Sequence, residues 1–190
     1  MIAVVGALVI ALAWSPAGAG SVFSDVRGDE WFAPSVLSLA EKGLLTGYPD
    51  GEFKPQRTIT RAEYVTLLVK AFGADLEAVN QEARVPWDVI GHWAAPSLLD
   101  AVRLGIVTDT LTPFLPDQAI TRGSAAEFLV RALGLTPTAG GEAGFVDTVG
   151  HRHAAGIHTA ARYGLVAGYP DGTFKPNGTL TRGEAAVLLQ

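Results

Sequence analysis

Cysteine is absent from all 190 residues, which removes disulfide frameworks, thiolate metal sites, redox dithiols and cysteine nucleophiles together. Charge is sparse: 17% of residues are Asp, Glu, Lys or Arg, which argues against a disordered tail or a highly charged scaffold. No basic run occurs, and 14 basic against 19 acidic residues leave a formal charge of −5. General binding to nucleic acid or to an anionic membrane is therefore disfavoured, and any bound anion must be held by a few placed residues. A phosphate loop, a dinucleotide fingerprint and a Ser/His/Asp grouping are also missing. Asp50 and Asp171 sit in Asp-Gly turns without the alternating oxygen ligands and closing glutamate of a calcium loop. The reading is that of a non-enzyme, with no catalytic residue, no metal and no cofactor assigned.

What is present begins with an apolar leader. Residues Ile2 to Trp14 carry no charge, and the first charged side chain is Asp25. Thirteen apolar residues reach about 20 Å as a helix, short of the roughly 30 Å hydrocarbon core. Small residues follow at Ala17-Gly18-Ala19, where a signal peptidase would read them. Residues 1–19 are expected to be a signal peptide cut after Ala19, leaving an exported chain with no membrane span. No Lys or Arg precedes the run, which implies a misplaced start or a longer gene product.

The whole chain is 48% hydrophobic, enough for a core, and the part after the leader is built from repeats. The first copy runs from Phe23-Ser24-Asp25-Val26 through Gly47-Tyr48-Pro49-Asp50-Gly51-Glu52-Phe53-Lys54-Pro55 to Ile59-Thr60-Arg61-Ala62-Glu63. The third runs from Phe145-Val146-Asp147 through Gly168-Tyr169-Pro170-Asp171-Gly172-Thr173-Phe174-Lys175-Pro176 to Leu180-Thr181-Arg182-Gly183-Glu184. The middle copy is more worn, with Pro86-Trp87-Asp88-Val89, Phe114-Leu115-Pro116 and Ile120-Thr121-Arg122-Gly123-Ser124. Its loop has Asp109-Thr110-Leu111-Thr112-Pro113 in place of Gly-Tyr-Pro-Asp-Gly. The arginines fall 61 and then 60 residues apart. The expected boundaries are 23–73, 85–135 and 144–190, with linkers over 74–84 and 136–144. The third copy stops within its last helix, so the natural chain is expected to continue.

Each copy reads as helix, loop, helix. Val36, Leu39, Ala40 and Leu44 recur as Leu98, Ala101, Val102 and Ile106, and again as Ile157, Ala160, Ala161 and Leu165. That i, i+3, i+4, i+8 spacing is one apolar stripe. The second helices repeat it with Val65, Leu68, Val69 and Phe72, and with Ala126, Leu129, Val130 and Leu133. Gly43, Gly105 and Gly164 follow the first helices, where a left-handed cap is needed. One stripe per helix cannot bury itself inside about 50 residues, so the copies must pack on one another. The expected fold is all-α, a compact pseudo-threefold bundle with protruding loops.

The helix-start element divides in two. Thr60 with Glu63, and Thr181 with Glu184, form capping boxes; Thr121 caps without the reciprocal partner, because Ser124 replaces the glutamate. That half is structural. Arg61, Arg122 and Arg182 each stand at the first helical position, beside the positive end of the dipole, where a cation is disfavoured. A guanidinium beside helix-start amides suits a carboxylate or phosphate. The alternative is a salt bridge to a fixed partner such as Asp25, Asp88 or Asp147, which also recur one per copy. Trp31 and Trp93 hold equivalent positions and could stack on a sugar ring or pack between copies; the third copy has Arg152 there. His151, His153 and His158 cluster near Asp147 in one copy, and no metal site is assigned to them.

The Phe-x-Asp-Val start, the His92-Trp93 pair, the Gly-Tyr-Pro-Asp-Gly-x-Phe-x-Pro loops and the Ile-Thr-Arg-Ala-Glu helix start resemble S-layer homology motifs, over about nine-tenths of the chain. The resemblance implies a three-pronged spindle in which one helix per unit forms a central bundle. It implies grooves between units that bind pyruvylated secondary cell-wall polysaccharide, with Arg61, Arg122 and Arg182 as the ligand-binding residues. It also implies a wall- or S-layer-associated location, and other S-layer subunits as a second class of partner. The departures in the middle and third copies imply unequal grooves. An architectural module with decayed grooves, packing protein against protein, is the alternative reading; a piece of an exported hydrolase is a third.

Overall fold

The computed structural model describes residues 23–73, 82–138 and 144–190. The signal peptide expected over 1–19 lies outside the described residues, as does most of each linker. Six α-helices are present among them: α1 Ala33–Glu41, α2 Arg61–Phe72, α3 Ala95–Arg103, α4 Arg122–Ala132, α5 Ala154–Arg162 and α6 Arg182–Leu188. A single 3-10 turn spans Trp87–Val89. No strand occurs among the described residues; three isolated antiparallel bridges join Thr58 to Thr181, Thr60 to Ala119 and Thr121 to Thr179. The all-α expectation therefore holds.

Local chemistry sets the helix ends as the sequence implies. Thr60 and Thr181 close reciprocal boxes with Glu63 and Glu184, while Thr121 accepts the Ser124 amide alone. Gly43, Gly105 and Gly164 adopt φ of +70°, +71° and +71° after α1, α3 and α5, a conformation costly for residues with a Cβ. Tyr48-Pro49-Asp50-Gly51 and its copy at Tyr169 are turns closed by the Gly51 amide on Tyr48 O and the Gly172 amide on Tyr169 O.

Helices pack from copy to copy, while each loop packs on the first helix of its own copy. The second helix of each copy lies on the first helix of the next: α2 on α3, α4 on α5, and α6 back on α1. The cycle is closed again at the backbone. Ile59 N–H donates to Leu180 O at 3.0 Å, Leu180 N–H to Ile120 O at 3.2 Å, and Ile120 N–H to Ile59 O at 3.0 Å. These three side chains are buried together in the largest core cluster, with Leu68, Leu98, Phe114 and Leu129. Smaller clusters lie at the other two junctions, one pairing Phe23, Val36 and Phe53 with Ala186, the other pairing Ala126 and Val130 with Ile157 and Phe174. Burying the stripe positions on a neighbouring copy, at about 25 cal/mol per Å² of apolar surface, explains why no copy would be stable alone. Leu133 is the exception among the stripe residues, 38% exposed just beyond the end of α4.

Candidate functional site

The same cycle builds three grooves. At each, the second helix of one copy enters the loop of another: Arg182 N–H donates to Arg57 O, Arg122 N–H to Gly178 O, and Arg61 N–H to Gln118 O. The following amides, on Gly183, Gly123 and Ala62, reach Pro55 O, Pro176 O and Pro116 O. The first amides of these helices are thus taken by protein carbonyls. A ligand at the grooves would meet side chains rather than an open helix end.

Each arginine then spans the loop. Arg182 Nε donates to Phe53 O at 2.8 Å, Arg122 Nε to Phe174 O at 2.9 Å, and Arg61 Nε to Phe114 O at 2.7 Å. The guanidinium lies 4.5, 4.7 and 4.6 Å over the rings of the same phenylalanines. The aspartates grip the other side. Asp25 accepts the amides of Phe53 and Lys54 at 2.7 Å each, Asp147 those of Phe174 and Lys175, and Asp88 those of Phe114 and Leu115.

This arrangement corrects the salt-bridge alternative. No ion pair joins Arg61, Arg122 or Arg182 to Asp25, Asp88 or Asp147 among the described residues. Aspartate and arginine instead bind the two ends of one peptide group, whose N–H faces the carboxylate and whose C=O faces the guanidinium. Lys54, Leu115 and Lys175 follow that carbonyl at φ of 59°, 58° and 57°, a left-handed backbone that the two charged partners hold in place. Among the described residues, only Nε and one terminal nitrogen of each arginine donate. Arg182 Nη2 reaches Thr46 O at 3.0 Å, Arg122 Nη2 reaches Ala167 O at 3.3 Å, and Arg61 Nη1 reaches Ser124 Oγ at 3.3 Å. Five N–H groups per guanidinium leave donors over for a ligand. Burial lowers the pKa of Arg182, and burial with the neighbouring Arg152 charge lowers that of Arg61.

The tryptophans arrive from the remaining copy. Trp93 lines a cavity of about 230 Å³ with Arg182, Tyr48 and Glu63. Trp31 lines one of about 280 Å³ with Arg122, Tyr169 and Glu184. Each groove therefore takes its arginine, its loop and its aromatic wall from three different copies. Trp31 and Trp93 are 63% and 61% exposed, so packing between copies does not account for them. Tyr48 and Tyr169 were not singled out as site residues, yet Arg182 and Arg122 lie 4.9 and 5.1 Å over their rings. Their place in the repeated Gly-Tyr-Pro turn was the available signal. One difference separates these two grooves: Arg57 Nη1 bonds Glu63 at 2.8 Å and also reaches Tyr48 Oη, whereas Gly178 stands at the equivalent position beside Glu184. Burial raises the Glu63 pKa, but the Arg57 and Thr60 bonds outweigh it and hold the carboxyl below its ordinary range.

The third groove collects the departures at the tryptophan, glutamate and tyrosine-turn positions of the repeat. Arg61, Arg152, Ser124 and Asp109 line a cavity of about 280 Å³. Arg152 replaces the tryptophan, Ser124 the glutamate and the Asp109-Thr110-Leu111-Thr112-Pro113 loop the tyrosine-containing turn, although these changes lie in two separate copies. A hydrogen-bonded chain also crosses here. Ser124 Oγ lies 3.0 Å from His153 Nε2, and His153 Nδ1 donates to Glu127 Oε2 at 2.5 Å. The sequence showed no Ser/His/acid grouping because its members come from α4 and from the start of α5. It has the order of a hydrolase relay but not the setting: Ser124 is 4% exposed, and Thr121 and Arg61 already donate to its Oγ. The remaining histidines part ways, His151 to Asn177 and His158 to Thr148, and no group of three metal-ligating side chains occurs among the described residues.

Three tandem matches to the S-layer homology domain cover residues 22–65, 88–126 and 144–186, and the chain belongs to that family. It is 34% identical over 169 residues to cell surface glycoprotein 1 of Acetivibrio thermocellus, an alignment covering 82% of this chain and 7% of that protein. It is 30% identical over 153 residues to the cellulosome-anchoring protein of the same organism, covering 77% of this chain and 34% of that one. It is 28% identical over 186 residues to the S-layer protein EA1 of Bacillus anthracis, covering 96% and 21%. The chain thus spans 7% to 34% of the length of these relatives.

Proposed function

We propose that this chain is a non-catalytic anchoring module that ties the protein carrying it to a bacterial cell surface by binding pyruvylated secondary cell-wall polysaccharide. Family membership, and the cellulosome-anchoring and S-layer proteins among its relatives, support surface anchoring. The sugar chemistry rests on one observation: Arg182 and Arg122 each keep unused guanidinium donors in a groove walled by an exposed tryptophan and a tyrosine. A pyruvate ketal places one carboxylate on a pyranose ring. The carboxylate matches a guanidinium fork, and the apolar ring face matches the aromatic wall. Recognition is then local, which is how a chain of charge −5 can hold an acidic polymer. No helix among the described residues is long and apolar enough to cross a membrane, so attachment through the wall needs no span in them.

The test is co-sedimentation of the chain with purified sacculi from a pyruvylating bacterium, beside sacculi whose ketal has been removed by mild acid. Pelleting with the untreated wall alone is the expected result. Equal pelleting with both would show that the carboxylate is not recognised. No pelleting by the folded chain would favour the architectural, protein–protein role.

A further inference from the structure

We infer that the groove between Arg61 and Arg152 is a separate anion site, built for a phosphate group rather than for the ketal carboxylate. This rests on the wall-binding reading for its context but not for its chemistry. The other two grooves offer one guanidinium, one carboxylate (Glu63 or Glu184) and an aromatic wall. Here a second guanidinium replaces the wall, and a neutral hydroxyl, Ser124, replaces the carboxylate. At these two positions the lining gains a positive charge and loses a negative one, while Asp109 and Glu127 bring two carboxylates and Arg131 a further guanidinium. A phosphate has three terminal oxygens and up to two charges, enough to engage both forks; a single carboxylate is satisfied by one.

The counter-charges already present are spent elsewhere. Glu127 binds Arg131 at 2.9 Å and His153 at 2.5 Å. The Asp109 carboxylate accepts the amides of Leu111 and Thr112 and the Thr112 hydroxyl. Arg152 is exposed and enters no hydrogen bond or ion pair among the described residues, while its charge lowers the Arg61 pKa and, as a lesser cause, that of Asp109. Two guanidiniums that repel across a cavity, without an ion-paired carboxylate between them, are stabilised by a shared dianion. His151, bonded to Asn177, lines the same cavity.

The experiment is an amide and arginine side-chain NMR titration of the full chain with three probes. These are inorganic phosphate, a glycerophosphodiester and a pyruvylated methyl glycoside. We expect inorganic phosphate to shift signals of Arg61, Asp109, His151 and Arg152, and Arg152→Ala to weaken that binding about tenfold or more. Arg152 makes no bond that the fold needs, so its variant keeps the remaining spectrum. Lys42→Ala, which removes an exposed positive charge from outside the groove lining, should leave phosphate binding unchanged, which separates a placed site from a bulk-charge effect. Binding of the diester as well as of free phosphate would assign the site to a phosphodiester polymer; binding of phosphate alone would assign it to a monoester. The inference is overturned if phosphate shifts nothing at this groove, if it shifts all three grooves alike, or if Arg152→Ala has no effect.

Discussion

Two of the three grooves resemble each other more than either resembles the third, and the difference follows from cyclic assembly. In the grooves of Arg182 and Arg122, the arginine, the Tyr-containing turn, the capping-box glutamate and the tryptophan all meet. In the groove of Arg61 each of the last three is replaced. Read along the chain, these replacements look like scattered wear: a lost glutamate and turn in the middle copy, a lost tryptophan in the last. Folded, they belong to one place. A substitution in one copy changes a groove whose arginine comes from the preceding copy and whose wall comes from the following one. Loss in one groove thus leaves the other two intact.

The comparison breaks hardest at the arginines. Arg122→Gln together with Arg182→Gln removes the charge-assisted donors of both matched grooves. Affinity for pyruvylated wall is expected to fall about a hundredfold or more, measured by co-sedimentation with circular dichroism as the folding control. Trp31→Ala with Trp93→Ala removes only the exposed walls, so the fold should be unaffected and the affinity should drop less, about tenfold. If the Trp variant bound the wall as the unaltered chain does, the aromatic wall would have no part in recognition.

The loops supply the next contrast. A Cβ on Gly168 would sit 2.1 Å from the Phe145 ring, and one on Gly47 would sit 2.6 Å from the Phe23 ring and 2.8 Å from Glu52 O. The middle copy, with Pro86 at the phenylalanine position, carries Asp109 at the glycine position, preceded by the exposed Thr108. Gly168→Ala is therefore expected to cost about 1–3 kcal/mol in denaturant unfolding, whereas Thr108→Ala should cost little. The helix caps differ in bonding rather than in cost. Thr60→Ala removes the acceptor of the Glu63 amide and leaves the Glu63 carboxylate on the residue-60 amide, and Thr121→Ala removes the acceptor of the Ser124 amide with a donor to Ser124 Oγ; each should cost about 1 kcal/mol.

Acid sharpens the comparison last, because one strongly shifted carboxylate lies in the divergent groove alone. Burial raises the Glu127 pKa, but its bonds to His153 and Arg131 prevail and hold it at about 2, against an ordinary 4.5. A carboxylate whose pKa is depressed by folding stabilises the fold above its unfolded value and loses that contribution as pH falls through the folded one. Thermal midpoints should therefore decline from about pH 4.5 towards pH 2, and Glu127→Gln should flatten that part of the curve. An unchanged acid limb in the variant would mean that other carboxylates set it.

Much of this was legible before any coordinates. The helix stripes, the capping boxes, the glycine caps and the position of each arginine at N1 are local, and local signals survive in a sequence. What stayed hidden was every relation between copies. Nothing in the chain says that Trp93 faces Arg182, or that Arg152 faces Arg61, because copy-to-copy order is set by packing. The aspartate and arginine recur together, and sequence reasoning could offer only a direct pair. Their true link, through the peptide between Phe53 and Lys54 and its two counterparts, needs the left-handed backbone that a non-glycine residue does not advertise. The Ser124, His153 and Glu127 chain was hidden for the same reason.

The account turns on two matched carboxylate-sugar grooves and one that differs, and counting sites tests it most directly. Isothermal titration of the full chain with a pyruvylated methyl glycoside should give two equivalent sites. Arg182→Gln should remove one of them and leave the other unchanged. Three equal sites, or none, would contradict it.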